Sequence, residues 1–208
     1  MKISVKQGRE DKVHIYVDDE YKLTVDAEYW YLSPWHNKKE IDEDEYEIME
    51  AEIEKRRAFK NAVSLCMSRI HSKGEIETKL NRKFSKEASK YAANKCEEIG
   101  IVNDEDFAKL YAEELLSRKG MGISRVKLEL KRKGISSDII SSTLEEIEVD
   151  EKQQIKDLLE RKYFRRLSDE KGRKSTFNAL VRLGYSYSDI KYALEEFIEE
   201  NEIFDIEE

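Results

Sequence analysis

The chain has 208 residues, with 38 Lys and Arg against 46 Asp and Glu and a formal net charge of −8. Charged residues make up 40% and hydrophobic ones 39%, with one proline, so long solvated helices are expected and a bulky single core is not. The opening Met1-Lys2-Ile3-Ser4-Val5-Lys6 lacks the apolar run of a secretory signal, and no stretch of about 18 apolar residues occurs, which argues against a membrane span and for the cytoplasm.

Residues 2–25 read as strands. Val13, Ile15 and Val17 alternate with His14 and Tyr16, and Tyr21, Leu23 and Val25 alternate again after Asp18-Asp19-Glu20, the pattern of a hairpin. Asp26 is placed to cap a short helix carrying Tyr29, Trp30 and Leu32, which Pro34 ends. Trp30 and Trp35 are expected to fix this module against the next helix. An acidic stretch from Glu40 to Glu54 then turns into Lys55-Arg56-Arg57. The apolar positions Phe59, Ala62, Val63, Cys66, Met67 and Ile70 predict one long helix over about 44–71, its acidic start matching the helix dipole. Cys66 and Cys96 fall in apolar helical patterns and read as buried, reduced thiols; His14, His36 and His71 share no ligand spacing with them, so no metal site is expected.

From there the chain repeats itself. Leu80, Leu130 and Leu180 lie fifty residues apart. Leu130-Lys131-Arg132-Lys133-Gly134-Ile135 matches Leu180-Val181-Arg182-Leu183-Gly184-Tyr185, and Ser136, Ile140 and Leu144 recur as Ser186, Ile190 and Leu194. A fixed period of this length signals stacked supersecondary units, none able to bury its apolar face alone. In the middle copy Asn103 or Asp104 caps a helix with an inward stripe of Phe107, Leu110, Tyr111 and Leu115. A second helix carries Ile123, Val126 and Leu130, and Gly134 supplies the left-handed residue past its end. Ser136 or Ser137 caps a third helix with Ile140, Thr143, Leu144 and Ile147. The last copy repeats the plan through Ile155, Leu158, Leu159 and Tyr163, then Phe177, Leu180 and Val181, then Ile190, Leu194, Phe197 and Ile198. The first copy has Ile76 and Leu80, then Ala88, Tyr91, Ala92 and Ile99, and Lys83-Phe84 in place of the turn glycine. The fold class that follows is mainly α: an elongated array of three tandem three-helix repeats with a small β-rich N-terminal module. Its segments are 1–43 (hairpin and short helix), 44–102, 103–149 and 150–208, the last ending in a solvated acidic tail through Glu202, Asp205, Glu207 and Glu208.

No catalytic constellation is present. Arg118-Lys119-Gly120-Met121-Gly122 lies between predicted helices and lacks the strand and Lys-Ser/Thr pair of a phosphate loop, while Asp104 and Asp106 fit helix capping. No enzyme, cofactor or metal is expected. Basic clustering is the stronger signal. Arg118, Lys119, Arg125, Lys127, Lys131, Arg132 and Lys133 face only Glu129; Arg161, Lys162, Arg165, Arg166, Lys171, Arg173, Lys174 and Arg182 face only Asp169 and Glu170. Both clusters centre on the second helix of their repeat and the turn before it, which predicts a basic stripe for binding an acidic polymer. The partner-binding or DNA-binding residues expected are Arg118, Lys119, Arg125, Lys127, Lys131, Arg132, Lys133, Arg165, Arg166, Arg173, Lys174 and Arg182. Asn and Gln, the usual adenine readers, are nearly absent there, which favours contact with a phosphate backbone or with acidic protein over sequence-specific base reading.

Ile101-Val102-Asn103-Asp104-Glu105-Asp106-Phe107-Ala108, Arg118-Lys119-Gly120 and Leu128 through Ile135 resemble the signature blocks of the bacterial RecX family of recombination regulators. Leu180 through Tyr185 resembles that family's last repeat, and Ser68-Arg69, Glu75-Ile76 and Lys79-Leu80 its first, so the resemblance covers about residues 55–200. The hairpin before Asp26 more loosely resembles the extension of members from Gram-positive bacteria; the absent glycine of copy one and the aromatic-rich Tyr29–Trp35 segment depart from the pattern. The resemblance implies a non-enzymatic, monomeric regulator in DNA repair, recombination and the SOS response. It would bind in the groove of the RecA–DNA filament, touch single- or double-stranded DNA through phosphates, and inhibit the recombinase, ATPase and coprotease activities of RecA. The alternative from another class is a stand-alone helix-turn-helix DNA-binding protein.

Overall fold

A computed structural model describes residues 1–201, so the expected acidic tail beyond Asn201 lies outside the described residues. The chain is mainly helical with one small antiparallel sheet, and it divides into two compact units. The first holds residues 1–68 and 76–99; the second holds residues 69–75 and those from 100 onward.

In the first unit β1 (Ile3–Gln7), β2 (Lys12–Val17) and β3 (Glu20–Asp26) pair antiparallel in the order β1-β2-β3. The two-residue loop at Asp18-Asp19 has φ of 50° and 65°, the left-handed pair that turns a tight hairpin with the twist of its strands. The alternation read from β2 holds: Val13, Ile15 and Val17 are buried. Val13 and Ile15 pack with Trp30 of α1 (Ala27–Leu32), Trp35, Ile41, and Met49 and Ile53 of α2 (Glu43–Ser68), so both tryptophans anchor the sheet to the long helix as expected.

Three details of this unit differ from expectation. Asp26 stands at the cap position of α1 but makes no side-chain cap bond; its carboxylate takes Lys12 and Lys60 instead, each at 3.2 Å. The buried face of α2 is Met49, Ile53, Ala58 and Ala62, whereas Met67 is 85% exposed and Ile70, 57% exposed, lies past the helix end. In α4 (Lys86–Glu98) the buried residues are Ala88, Ser89, Ala92, Ala93 and Cys96, while Tyr91 and Ile99 face solvent. One physical reason covers both helices. They pack against each other through small side chains, which allow close approach, and the larger apolar residues are left at the margin. Cys96 is buried and Cys66 only half-buried. Between them in sequence, α3 (Lys73–Leu80) ends without glycine: the N–H groups of Lys83 and Phe84 both donate to the Leu80 carbonyl, and Ser85 then caps α4.

In the second unit the helices are α5 (Asp104–Glu113), α6 (Ile123–Arg132), α7 (Ser137–Glu145), α8 (Glu151–Leu158), α9 (Glu170–Leu183) and α10 (Tyr187–Glu200). Asn103, Ser136, Asp150, Asp169 and Ser186 each accept a backbone N–H at a helix start. One core gathers Phe107, Ala112, Leu115, Val126, Leu130 and Ile140 around α5–α7; another gathers Ile155, Leu159, Leu180, Ile190 and Phe197 around α8–α10. Leu130 and Leu180 are fully buried at the centres of their cores, and Leu80 is buried likewise in the first unit. Leu110, expected inward, is 52% exposed, and Ala108 and Ala112 take the inner face of α5. The sequence pattern also misses the way α5 and α8 end: each runs into a π-helical turn, at Glu114–Arg118 and Leu159–Tyr163. Such turns are uncommon outside functional or strained segments. They rotate the chain so that Leu115 and Leu116, and then Leu159 and Tyr163, all reach the interior.

Candidate functional site

The second helices α6 and α9 carry most of the predicted cations, and what positions them is a polar joint made twice. Gly134 follows the end of α6 with φ 83°, and Gly184 follows α9 with φ 97°. In both, the N–H groups past the helix end return to its last turn, Gly134 to Lys131 and Ile135 to Leu130, Gly184 to Val181 and Tyr185 to Leu180. The carbonyl just before each glycine is then gripped by another segment. Ser72 Oγ donates to the Lys133 carbonyl at 2.6 Å, and the Gly122 N–H donates to the Leu183 carbonyl at 2.9 Å. Ser72 and Gly122 each directly precede a second helix, so the end of α6 meets the first turn of α3, and the end of α9 meets the first turn of α6. A carboxylate completes both joints: Asp104 accepts the Lys73 N–H at 2.8 Å, and Glu151 accepts the Ile123 N–H at 2.7 Å. Asp104 and Glu151 are the first residues of α5 and α8, so one acid at one structural position caps a neighbouring helix start in each case.

The first joint also has an ionic centre. Glu75 accepts from Lys133 Nζ at 2.6 Å and pairs with Arg69 at 3.3 Å, and its side chain is only 11% exposed. Burial alone would raise its carboxyl; the hydrogen bonds and charges of Arg69 and Lys133 outweigh burial and hold it down at about 2. In the second joint the Tyr185 hydroxyl donates toward the Gly120 carbonyl and Gln154 Oε1, at 3.1 and 3.2 Å, and burial with the Glu151 charge pushes that phenol upward.

The twelve predicted cations divide by what they touch. Lys133 belongs to the joint, half-buried between Glu75 and the Tyr111 ring, with its Nζ 5.3 Å from the ring centroid. Arg125 pairs with Glu129 at 2.7 Å, and Arg132 reaches the same carboxylate at 3.0 Å, so Glu129 holds two of the stripe's charges on α6. Lys119 pairs with Glu114 at 3.3 Å. Arg173 is half-buried and its Nε donates to the Leu167 carbonyl at 2.8 Å, closing the 3-10 turn Phe164–Arg166 over the start of α9. The remaining seven, Arg118, Lys127, Lys131, Arg165, Arg166, Lys174 and Arg182, are exposed and have no carboxylate within ion-pair distance among the described residues. Lys127 and Lys131 share one face of α6, Arg118 sits on the π-helical turn before it, and Arg182 lies in the last turn of α9, beside the carbonyl that α6 grips. Among the described residues no cluster of three or more His, Cys, Asp or Glu is arranged to hold a metal ion, and no helix is long and apolar enough to cross a membrane.

Residues 103–144, which span α5–α7, match the family model described as RecX, second three-helix domain. The regulatory protein RecX of Caldanaerobacter subterraneus subsp. tengcongensis is 32% identical over 154 residues, covering 72% of this chain and 76% of that protein. That of Bacillus velezensis is 30% identical over 209 residues, covering 97% of this chain and 78% of its own. Among solved structures, a crystal structure of regulatory protein RecX has the same fold over 93% of this chain and 98% of its own, at 20% identity and a TM-score of 0.66. RecX from Lactobacillus salivarius follows with a TM-score of 0.58 at 21% identity, over 69% of this chain and 96% of that one. Both similarities extend over more than two thirds of this chain, at 30% identity or above, and on that ground the chain belongs to the RecX family of regulatory proteins.

Proposed function

We propose that this chain is a cytoplasmic, non-enzymatic regulator that binds the RecA–DNA filament and inhibits the recombinase, ATPase and coprotease activities of RecA. The working parts are three three-helix units, at 44–102, 103–149 and 150–208, the N-terminal module 1–43 lying outside them. The observation that carries the reading is the set of seven unpaired cations on and beside α6 and α9, in a chain whose net charge is −8. A filament groove presents phosphate and acidic protein surface, and cations held on rigid helices meet it with little loss of side-chain order. Arg118, Lys127, Lys131, Arg165, Arg166, Lys174 and Arg182 are the contact residues in this reading; Lys119, Arg125, Arg132 and Arg173 flank them, and Lys133 holds the joint.

The test compares preformed RecA filaments with bare single-stranded DNA. Inhibition of strand exchange at less than one copy per RecA protomer is expected, since a chain with several binding units engages neighbouring subunits together. Tight binding to bare DNA with no effect on RecA would instead favour a stand-alone DNA-binding protein of helix-turn-helix type. The feature favouring that second reading is the outer face of α6, where Ser124, Lys127, Leu128 and Lys131 are all exposed, as in a helix that enters a major groove.

A further inference from the structure

A second basic site lies in the other unit. The outer face of α2 and the end of β3 enclose an open groove of about 590 Å³, lined among others by Lys12, Asp26, Tyr29, Arg56, Arg57 and Lys60. Four cations thus face one carboxylate. Arg56 and Arg57 lie next to each other on α2, and Lys60 follows Arg56 and Arg57 at four and three residues, so all three project on one side of the helix. Asp26 is the unusual member. Instead of capping α1 it holds Lys12 and Lys60 at 3.2 Å each, one from either side of the groove. Arg56 lies over the Tyr29 ring, its Cζ 4.5 Å from the centroid, and Val25 and Ile53 give the floor an apolar part. Arg57 has no carboxylate within ion-pair distance among the described residues. Beyond the Arg56–Lys60 ridge an adjoining hollow is edged by Glu10, Asp11 and Glu28, which bounds the electropositive run on that side.

We infer that this groove holds a short stretch of single-stranded nucleic acid, its phosphates on Arg57, Lys60 and Lys12 and a base against the Arg56–Tyr29 pair. Such a platform of stacked aromatic and guanidinium beside a cationic wall accepts any base and tracks a strand by its backbone. A duplex keeps its base faces stacked inside the helix and presents only backbone and groove edges, so the unpaired strand is the form that uses both the cations and the ring. The acidic far edge restricts the site to a few phosphates. The inference stands apart from the filament reading, because the strand is held whether or not RecA is present.

The test uses the full chain and a labelled oligothymidylate of about 15 nucleotides, near the upper site size of strand-binding folds. Anisotropy titrations over a range of salt concentrations compare wild type, Arg57→Glu/Lys60→Glu and, in parallel, Lys127→Glu/Lys131→Glu. The groove variant is expected to bind about tenfold more weakly or worse, with the slope of log affinity against log salt lowered by about 1.4, since each lost phosphate contact on a single strand removes about 0.7. Circular dichroism checks its fold, and photo-crosslinking of a bromodeoxyuridine strand to the wild-type protein reads the site without any substitution; crosslinks on the peptides holding Tyr29 and α2 are expected. Unchanged affinity and slope in the folded groove variant, or crosslinks confined to α6 and α9, would overturn the inference and leave the stripe reading intact. Free mononucleotide competing as well as the oligonucleotide, or an acidic peptide binding as tightly, would overturn it as well.

Discussion

Three glycines with left-handed backbone allow the cost of a joint to be separated from the cost of a helix end. Gly100, Gly134 and Gly184 have φ of 73°, 83° and 97°. A Cβ added at Gly100 would meet nothing within 4 Å, whereas at Gly184 it would lie 2.5 Å from Arg125 Cβ and 2.6 Å from the Arg125 backbone nitrogen. Gly100→Ala therefore bears only the conformational penalty of a left-handed alanine, about 1 kcal/mol. Gly184→Ala bears the same penalty plus a clash with backbone that no rotamer relieves, about 1–3 kcal/mol more, for a sum of about 2–4 kcal/mol. Urea unfolding of both variants, followed by circular dichroism and by tyrosine and tryptophan emission, measures the difference. Because Gly184 seats on the start of α6, its variant should also lose the Gly122 to Leu183 hydrogen bond, seen as faster amide exchange at Gly122. Equal destabilisation at Gly100 and Gly184, with Gly122 exchange unchanged, would refute the claim that the glycine serves the joint and not merely the helix end.

Leu130→Ala and Leu180→Ala, each at a fully buried core position, should cost about 2–5 kcal/mol in the same melts; a loss below about 1 kcal/mol would contradict their placement. The Glu75 carboxyl, held at about 2 against an ordinary 4.5, lends stability that is complete above pH 4.5 and lost as pH falls toward 2. The full shift corresponds to about 3 kcal/mol, reduced to about 1–2 kcal/mol because Arg69 is half-exposed, and Glu75→Gln should flatten the fall in urea midpoint over that acid range. Lys127→Glu/Lys131→Glu should leave the melt unchanged yet weaken filament binding and reduce its salt dependence by about one per lost contact; an unaltered salt slope would remove α6 from the binding surface.

What could be read from the sequence follows the range of the interactions. The leucines at 80, 130 and 180, the left-handed Gly134 and Gly184, and the caps at Asn103, Ser136 and Ser186 are set by neighbours within a few residues, and the structure has them where the pattern places them. The face of α2 was not legible, because its partner α4 offers alanines and its burial is decided by how closely two helices approach. The basic stripe was legible as composition but not as surface: Glu75, distant in sequence from Lys133, removes that lysine, and Glu129 neutralises part of Arg125 and Arg132. Asp26 read as a cap because its position is right; only the placement of Lys60 shows that its carboxylate is used elsewhere. The acids Asp104 and Glu151 carried the one available signal for the joints, since each directly follows a capping Asn103 or Asp150.

The joints also explain why a cation recurs with the core. In each, the gripped carbonyl belongs to the residue before the glycine, and the residue before that is an arginine, Arg132 in one and Arg182 in the other. Neither arginine can point into the joint, because the glycine and the carbonyl already fill it; both are exposed. The period that buries Leu130 and Leu180 therefore also sets one arginine outside every helix-end contact, at a site made rigid by backbone hydrogen bonds. The start of α9 is built differently. Asp169 accepts the Gly172 N–H at 2.6 Å, the Arg166 carbonyl packs on Gly172, and the Arg173 Nε donates to the Leu167 carbonyl, so this helix start is closed by contacts within its own turn. Position along the chain thus decides what a basic residue does. Cations near a joint are either drawn into it, as Lys133 is, or fixed beside it, as Arg182 is, and those on the local turn before α9, Arg165 and Arg166, are held by that turn's own closure.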